Sequence, residues 1–201
     1  MATRLAPSAE TISFEEFLEA YDGVHAEWVD GRVFVMTPAT PHHWRLTRFL
    51  GSLIQSYAED RGLGEVLGEP VTMRTDARAA REPDLYFVAA ENAHRVKETF
   101  FDGPADLVIE IVSRESRTRD RKEKFREYER AGIREYWLID PERRQAEAYR
   151  LSEAGRYEAV ELGEPAVLRS EALPGMWVAV DWLWQTPLPR QSWVLQQWGP
   201  V

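Results

Sequence analysis

Apolar and polar positions divide the chain into a series of short elements. SFEEFLEAY, near the start, carries apolar residues at helical spacing. Ser13 stands where an N-cap accepts the first free backbone N–H groups. HAEWVDGRVFVM follows as two apolar-rich runs around Asp30-Gly31. That is a hairpin signature, because glycine tolerates the positive φ of a tight turn. From residue 41 to about 59, Trp44, Leu46, Leu50, Leu53, Ile54 and Tyr57 recur on one face of a helix. Short strands are predicted at 64–67, 71–74 and 84–89.

The middle of the chain is the most legible. DLVIEIV (106–112) is nearly continuous in apolar character, as a strand covered on both faces requires. SRESRTR reads as a polar loop, DRKEKFREYERAG as a helix ended by Gly132, and REYWLID as a second strand. Strand, helix and strand together predict a right-handed parallel crossover. RRQAEAYRL then returns as an antiparallel strand through a turn at 140–143. The fold class is α/β, with a mixed β-sheet flanked by helices and an N-terminal β-hairpin. No repeat or low-complexity linker interrupts it.

Composition narrows the function. With 201 residues, 44% apolar and 29% charged, the chain is globular and long enough for one full core. It has no cysteine, which excludes disulfide frameworks, thiolate metal sites and cysteine nucleophiles. No run approaches the ~18 apolar residues of a membrane span, and the first dozen residues lack the apolar centre of a signal peptide. A cytoplasmic protein with no membrane partner is expected. A formal charge of −9 argues against indiscriminate coating of nucleic acid. It leaves room for an enzyme that uses carboxylates on one.

Two carboxylates stand out. Glu110 interrupts the apolar run of 106–112. Either it sits at a strand end and meets water, or a metal, a cation or hydrogen-bond donors compensate it. Asp84 follows Glu82-Pro83, where an aspartate is often only a turn residue. On neighbouring strands the two would converge at one end of a sheet. Oxygen donors of that kind suit Mg²⁺ or Mn²⁺. In the helix that follows, Arg121, Phe125 and Tyr128 cluster on one face, Lys124 lies at its edge between Asp120 and Tyr128, and Lys122 points away. Lys124 is therefore the lysine placed to reach such a site, unless it only forms an i,i+4 pair with Asp120.

The string REPDLYFV, DLVIEIVS and DRKEKFREYERAGIREYWLIDP, with the EWVDGRVFVM hairpin and the helix near His43, resembles the Uma-type restriction endonuclease family. That group belongs to the PD-(D/E)xK nuclease superfamily. The resemblance covers roughly residues 12–180 and implies a restriction-endonuclease-like core. It implies that Asp84 is the aspartate of the Pro-Asp motif and Glu110 the acidic residue of the second motif. Val112 stands where the superfamily's basic pattern has lysine, and the resemblance moves that lysine to Lys124 on the next helix. Glu27 matches an acidic position that completes a metal site, so Asp84, Glu110 and Glu27 are the expected ligands of Mg²⁺ or Mn²⁺. Tyr128, Asp120 and His43 match accessory positions.

The implied activity is a metal-dependent endonuclease that hydrolyses phosphodiesters, in DNA first of all, by metal-activated water. A catalytically silent member of the fold, acting in nucleic-acid or protein binding, is the alternative. Between residues 114 and 134 nine basic residues face five acidic ones, against the trend of the chain. Arg114, Arg117, Arg119 and Arg121 are the candidate phosphate contacts. His25 and His94 look isolated. Residues 1–11 read as a loose arm, 12–185 as the nuclease-like domain, and 186–201 as a Trp-rich tail. Trp177, Trp182, Trp184, Trp193 and Trp198 crowd the C-terminal end, where they either pack on the domain's own sheet or anchor a homodimer or larger homo-oligomer.

Overall fold

The computed structural model describes residues 10–36, 39–114 and 116–199; the arm expected at 1–11 lies almost wholly outside them. The chain opens with helix α1 (Phe14–Ala20), which Ser13 and Glu16 start with a reciprocal capping box. Strands β1 (Ala26–Val29) and β2 (Arg32–Val35) form the expected hairpin, with Val29 opposite Arg32. Asp30 and Gly31 both take positive φ, +51° and +81°, as a two-residue turn of this kind demands. Thr40 caps helix α2 (Pro41–Arg61), and Pro41 occupies its first position, where a missing N–H costs nothing.

Two sheets carry the rest. Strands β3 (Gly64–Leu67), β6 (Leu85–Ala89), β8 (Leu107–Ile111), β9 (Glu135–Asp140), β10 (Gln145–Leu151) and β11 (Tyr157–Ala159) form the large sheet, in the order β11-β10-β9-β8-β6-β3. Only β8 and β9 run parallel there, joined by the predicted crossover; every other pair is antiparallel. A smaller sheet combines the hairpin with β4 (Thr72–Asp76), β5 (Ala79–Arg81) and β7 (Phe100–Asp102), in the order β2-β1-β5-β4-β7. The short pair β12 (Val167–Arg169) and β13 (Trp177–Ala179) stands apart from both.

The crossover helix departs from the regular wheel at its start. Residues Arg119–Lys124 form a turn of π-helix that runs directly into α3 (Phe125–Ala131), closed by Gly132. Asp120, Lys124 and Tyr128 are the residues buried along this segment, at i,i+4 spacing, and Arg121 pairs instead with Glu147 of β10. Lys122 is exposed, as read from the sequence.

Strand alternation sorts the core into two layers. Leu107, Ile109 and Ile111 of β8 and Trp137 and Ile139 of β9 face α2, meeting Leu46, Leu50, Leu53 and Ile54. Val108, Tyr136 and Leu138 face the other way, with Tyr128 of α3, Tyr86 and Phe101. Trp44, expected on the buried stripe of α2, is instead 58% exposed. The Trp-rich end folds back onto the domain as far as residue 199. Helix α4 (Gln191–Gln197) lies against α2, and Val194 and Leu183 enter the same core. Trp198 donates its indole N–H to the Trp177 carbonyl and packs edge-on against Tyr57.

Candidate active site

Because side chains alternate along β8, Glu110 falls on the α3 side, between the apolar positions Val108 and Val112. It is 3% exposed, so it does not meet water at a strand end. Its Oε1 accepts hydrogen bonds from Lys124 Nζ at 2.7 Å and from the Tyr128 hydroxyl at 2.9 Å. One helix face thus supplies both compensating donors. Burial pushes the Glu110 carboxyl up to about 8; Lys124 opposes the rise, and the neighbouring Asp120 and Asp84 add to it.

Lys124 itself is 2% exposed, facing Glu110, Glu27 at 3.3 Å and Asp120 at 3.9 Å. Burial disfavours its charge, but these three carboxylates outweigh it and hold the ammonium above the usual lysine range. Glu27, from β1, has both oxygens against cations: Oε2 accepts from Arg81 at 2.7 Å and Oε1 faces Lys124. Burial would raise its carboxyl, yet Lys124, Arg81 and Arg119 keep it well below the ordinary range. Arg81 is fully buried and also grips Glu127 of α3 through two hydrogen bonds, locking the small sheet to the crossover helix.

Asp84 precedes β6, whose pairing sets Leu85 opposite Ile109 and brings Asp84 beside the end of β8. Its Oδ2 accepts the Ile111 N–H at 2.6 Å, and its Oδ1 lies 2.8 Å from His43 Nε2. His43 comes from the first turn of α2, oriented by the Thr40 cap. Although burial disfavours its charge, Asp84 raises its pKa above the ordinary value. Gly68 is required here: a Cβ at that position would stand 2.4 Å from the Asp84 carbonyl oxygen. That close approach lets the next residue, Glu69, bond to Pro83 O and set its carboxylate near His43 and Asp84.

Asp84, Glu110, Lys124, Glu27, Asp120 and His43 therefore line one small chamber of about 20 Å³, room for one ion or water molecule. Tyr128 supports it from below through Glu110. Its wall also carries Glu69, Glu82, His25 and Arg119, so carboxylates outnumber the cations. Asp120 Oδ1 and Arg119 Nε are buried there without a hydrogen-bond partner among the described residues, and face each other as an ion pair at 3.8 Å. Ligand atoms of His43, Glu69 and Asp84 lie within 4.8 Å of one another. An oxygen-rich, acidic chamber of this kind fits a hard divalent cation.

Glu69, Glu82 and Arg81 were not singled out in the sequence. Glu82 and Arg81 flank the Pro-Asp step, which was the available signal; nothing local marks Glu69. His25 is not isolated: it bonds through Nδ1 to Glu82, and its Nε2 lies 3.1 Å from Glu69. Of the four candidate phosphate arginines, Arg119 lines the chamber and Arg114 is exposed. Arg117 is paired with Asp140 and Glu142, and Arg121 with Glu147 and Asp140.

A mixed sheet flanked by helices, bringing Asp84 just before β6 and Glu110 of β8 to one chamber faced by a lysine from the crossover helix, is a restriction-endonuclease-like nuclease fold. A model of the Uma2 family, described as putative restriction endonuclease, matches residues 14–181, and the chain belongs to that family. Its fold is similar to that of a putative nuclease belonging to DUF820 from Anabaena variabilis ATCC 29413. That likeness has a TM-score of 0.71 at 17% identity, over 86% of this chain and 97% of the other. No curated protein matches the chain. Family and fold together support a nuclease function. Among the described residues no helix is long and apolar enough to cross a membrane.

Proposed function

We propose that the protein is a Mg²⁺- or Mn²⁺-dependent endonuclease that hydrolyses phosphodiester bonds in DNA. The observation that carries this reading is the buried Glu110–Lys124–Tyr128 cluster opening on the same chamber as Asp84. Asp84 and Glu110 would hold the cation, with the second oxygen of Glu110, which takes neither of its two hydrogen bonds, available for it. A bound divalent ion supplies a more acidic water and a polarised phosphoryl oxygen.

The chain's own residues do the rest. Held protonated by its carboxylates, Lys124 acts as a donor that orients the attacking water and offsets charge building on the phosphate. Glu27 is engaged by Arg81 and Lys124 and serves to fix that ammonium rather than to bind metal in this reading. Tyr128 keeps its proton, since burial raises it well above the ordinary tyrosine value, and pins Glu110 by donating to it. His43 orients Asp84, and Arg119 is the phosphate-facing cation of the chamber wall. A homo-oligomer remains part of the proposal, with Trp193, 45% exposed on α4, as its anchor.

The test is cleavage of assorted nucleic acids with Mg²⁺, Mn²⁺ or chelator, comparing wild type with Glu110→Ala. Loss of cleavage by about 10²-fold or more with an unchanged circular dichroism spectrum is expected. Full activity in the variant would overturn the assignment.

A further inference from the structure

Outside the chamber, the large cavities join into one surface across α2. The first, of about 660 Å³, shares His43, Glu69 and Asp84 with the chamber and runs outward past Trp44 and Arg48. A second of about 660 Å³ shares Arg48 with the first and adds Arg45 and Arg190. No carboxylate lines this second cavity among the described residues, although the chain as a whole carries −9. Arg117 and Arg121 are tied to carboxylates, whereas Arg45 and Arg190 have no ion pair among the described residues.

Trp44 is the most exposed large apolar side chain described, and no packing in the core accounts for it. It directly follows His43, the residue that touches Asp84. The Arg48 guanidinium lies 5.2 Å from the centre of its ring, one turn along the helix. Glu65, Glu69 and Asp84 line the first cavity, and beyond Trp44 and Arg48 the surface turns cationic. An exposed indole leading into a run of unpaired arginines is a combination by which proteins hold single strands: the cations track phosphates and the ring stacks on a base. A base inside an intact duplex has both faces covered and offers none to such a ring unless it is flipped or frayed.

We infer that this groove receives a single-stranded stretch of nucleic acid, with an unpaired base stacked on Trp44 and the backbone running over Arg48, Arg45 and Arg190. The inference rests on the nuclease reading and deepens it by naming the substrate class. Scissile phosphates would lie beside unpaired bases, at junctions, ends or single strands, and not within continuous duplex.

The experiment uses the full chain with a labelled single-stranded DNA and the blunt duplex of the same sequence. Affinity is read by fluorescence anisotropy in chelator, and cleavage with Mg²⁺ or Mn²⁺. Because Trp44 is exposed, Trp44→Ala leaves the fold intact. It should weaken single-strand binding by about fivefold or more, and duplex binding by less than about twofold. Trp44→Phe should restore most of the loss. Unchanged single-strand affinity in Trp44→Ala, or an equal loss on both probes, overturns the inference. So does a fall in sedimenting mass on Trp44→Ala, which would make the face an interface between copies of the chain. Single-strand cleavage that is the same in wild type and Trp44→Ala defeats this inference alone. Wild-type protein that neither binds nor cuts either probe defeats the nuclease reading with it.

Discussion

On the α2 side of the large sheet, Leu107, Ile109 and Ile111 meet Leu46, Leu50 and Leu53 in an apolar layer. On the α3 side, one residue along the same strand, Glu110 meets Lys124 and Tyr128. The two layers share a backbone, a sheet and a helix crossing each face, so their difference lies wholly in side chains. The first removes apolar surface from water, the dominant favourable term in folding. The second buries charges, whose desolvation a hydrophobic layer of the same volume would avoid. A chain does not need the second kind of layer to fold. Its presence, on the face that opens to the chamber, is what the proposed nuclease chemistry would account for.

The sharpest way to break this comparison is to remove one group from each layer and change the pH. Lys124→Met leaves Glu110, Glu27 and Asp120 without their shared cation and should cost ~3–5 kcal/mol near pH 8. Near pH 5 the cost should shrink, because Glu110 and Asp120, both raised by burial, can take up protons instead. Leu53→Ala opens a cavity in the apolar layer and should cost ~2–5 kcal/mol, equally at both pH values. Urea unfolding in chelator measures all four quantities. A Lys124→Met cost that does not depend on pH would mean the charged layer is held by packing alone.

A smaller effect should appear in the wild type. Glu110 and Asp120 have folded pKa values above the ordinary carboxylate range, so the native state binds more protons than the unfolded chain between about pH 4.5 and about 8. Stability must therefore fall as pH rises through that window. His25 and His43 add to the same trend: their raised pKa values contribute stability below about pH 6.5 that is lost above. Glu27, held low, contributes stability that is lost only at much more acid pH. Glu110→Gln should flatten the slope without abolishing it. Mg²⁺ or Mn²⁺, by taking the place of the proton, should raise the melting temperature more at pH 8 than at pH 5. Equal shifts at the two pH values would place the cation away from Glu110.

These layers were unequally legible. Apolar periodicity located α2, β8 and β9, and it flagged Glu110 as an interruption, because strand alternation and burial are local properties of sequence. The i,i+4 spacing of Asp120, Lys124 and Tyr128 survived even the π-turn, while Arg121 pairs with Glu147 instead. What sequence could not supply was pairing across the sheets. Arg81 reaches Glu27 from the neighbouring strand β5, 54 residues along the chain, and Glu69 is set beside Asp84 by the contact at Gly68. His25 is isolated in sequence for the same reason, its partners Glu69 and Glu82 lying on distant segments. The apolar stripe of α2 failed at Trp44, whose ring faces the groove instead of the core.

The basic segment after β8 gives the smallest effect and separates charge count from charge placement. Its excess of arginines pointed to phosphate contacts. In the folded chain Arg117 donates to Asp140 at the end of β9 and to Glu142, and these carboxylates neutralise it before any backbone approaches. Arg117→Gln should therefore change stability by less than about 1 kcal/mol, with Arg121 and the Arg143 N–H still serving Asp140. It should leave the salt dependence of nucleic-acid binding unaltered. Arg45→Gln, on the unpaired side, should lower the slope of log affinity against log salt by about one phosphate contact. If instead Arg117→Gln reduces that slope and Arg45→Gln does not, the nucleic acid crosses the end of β9, and the groove over α2 belongs to something else.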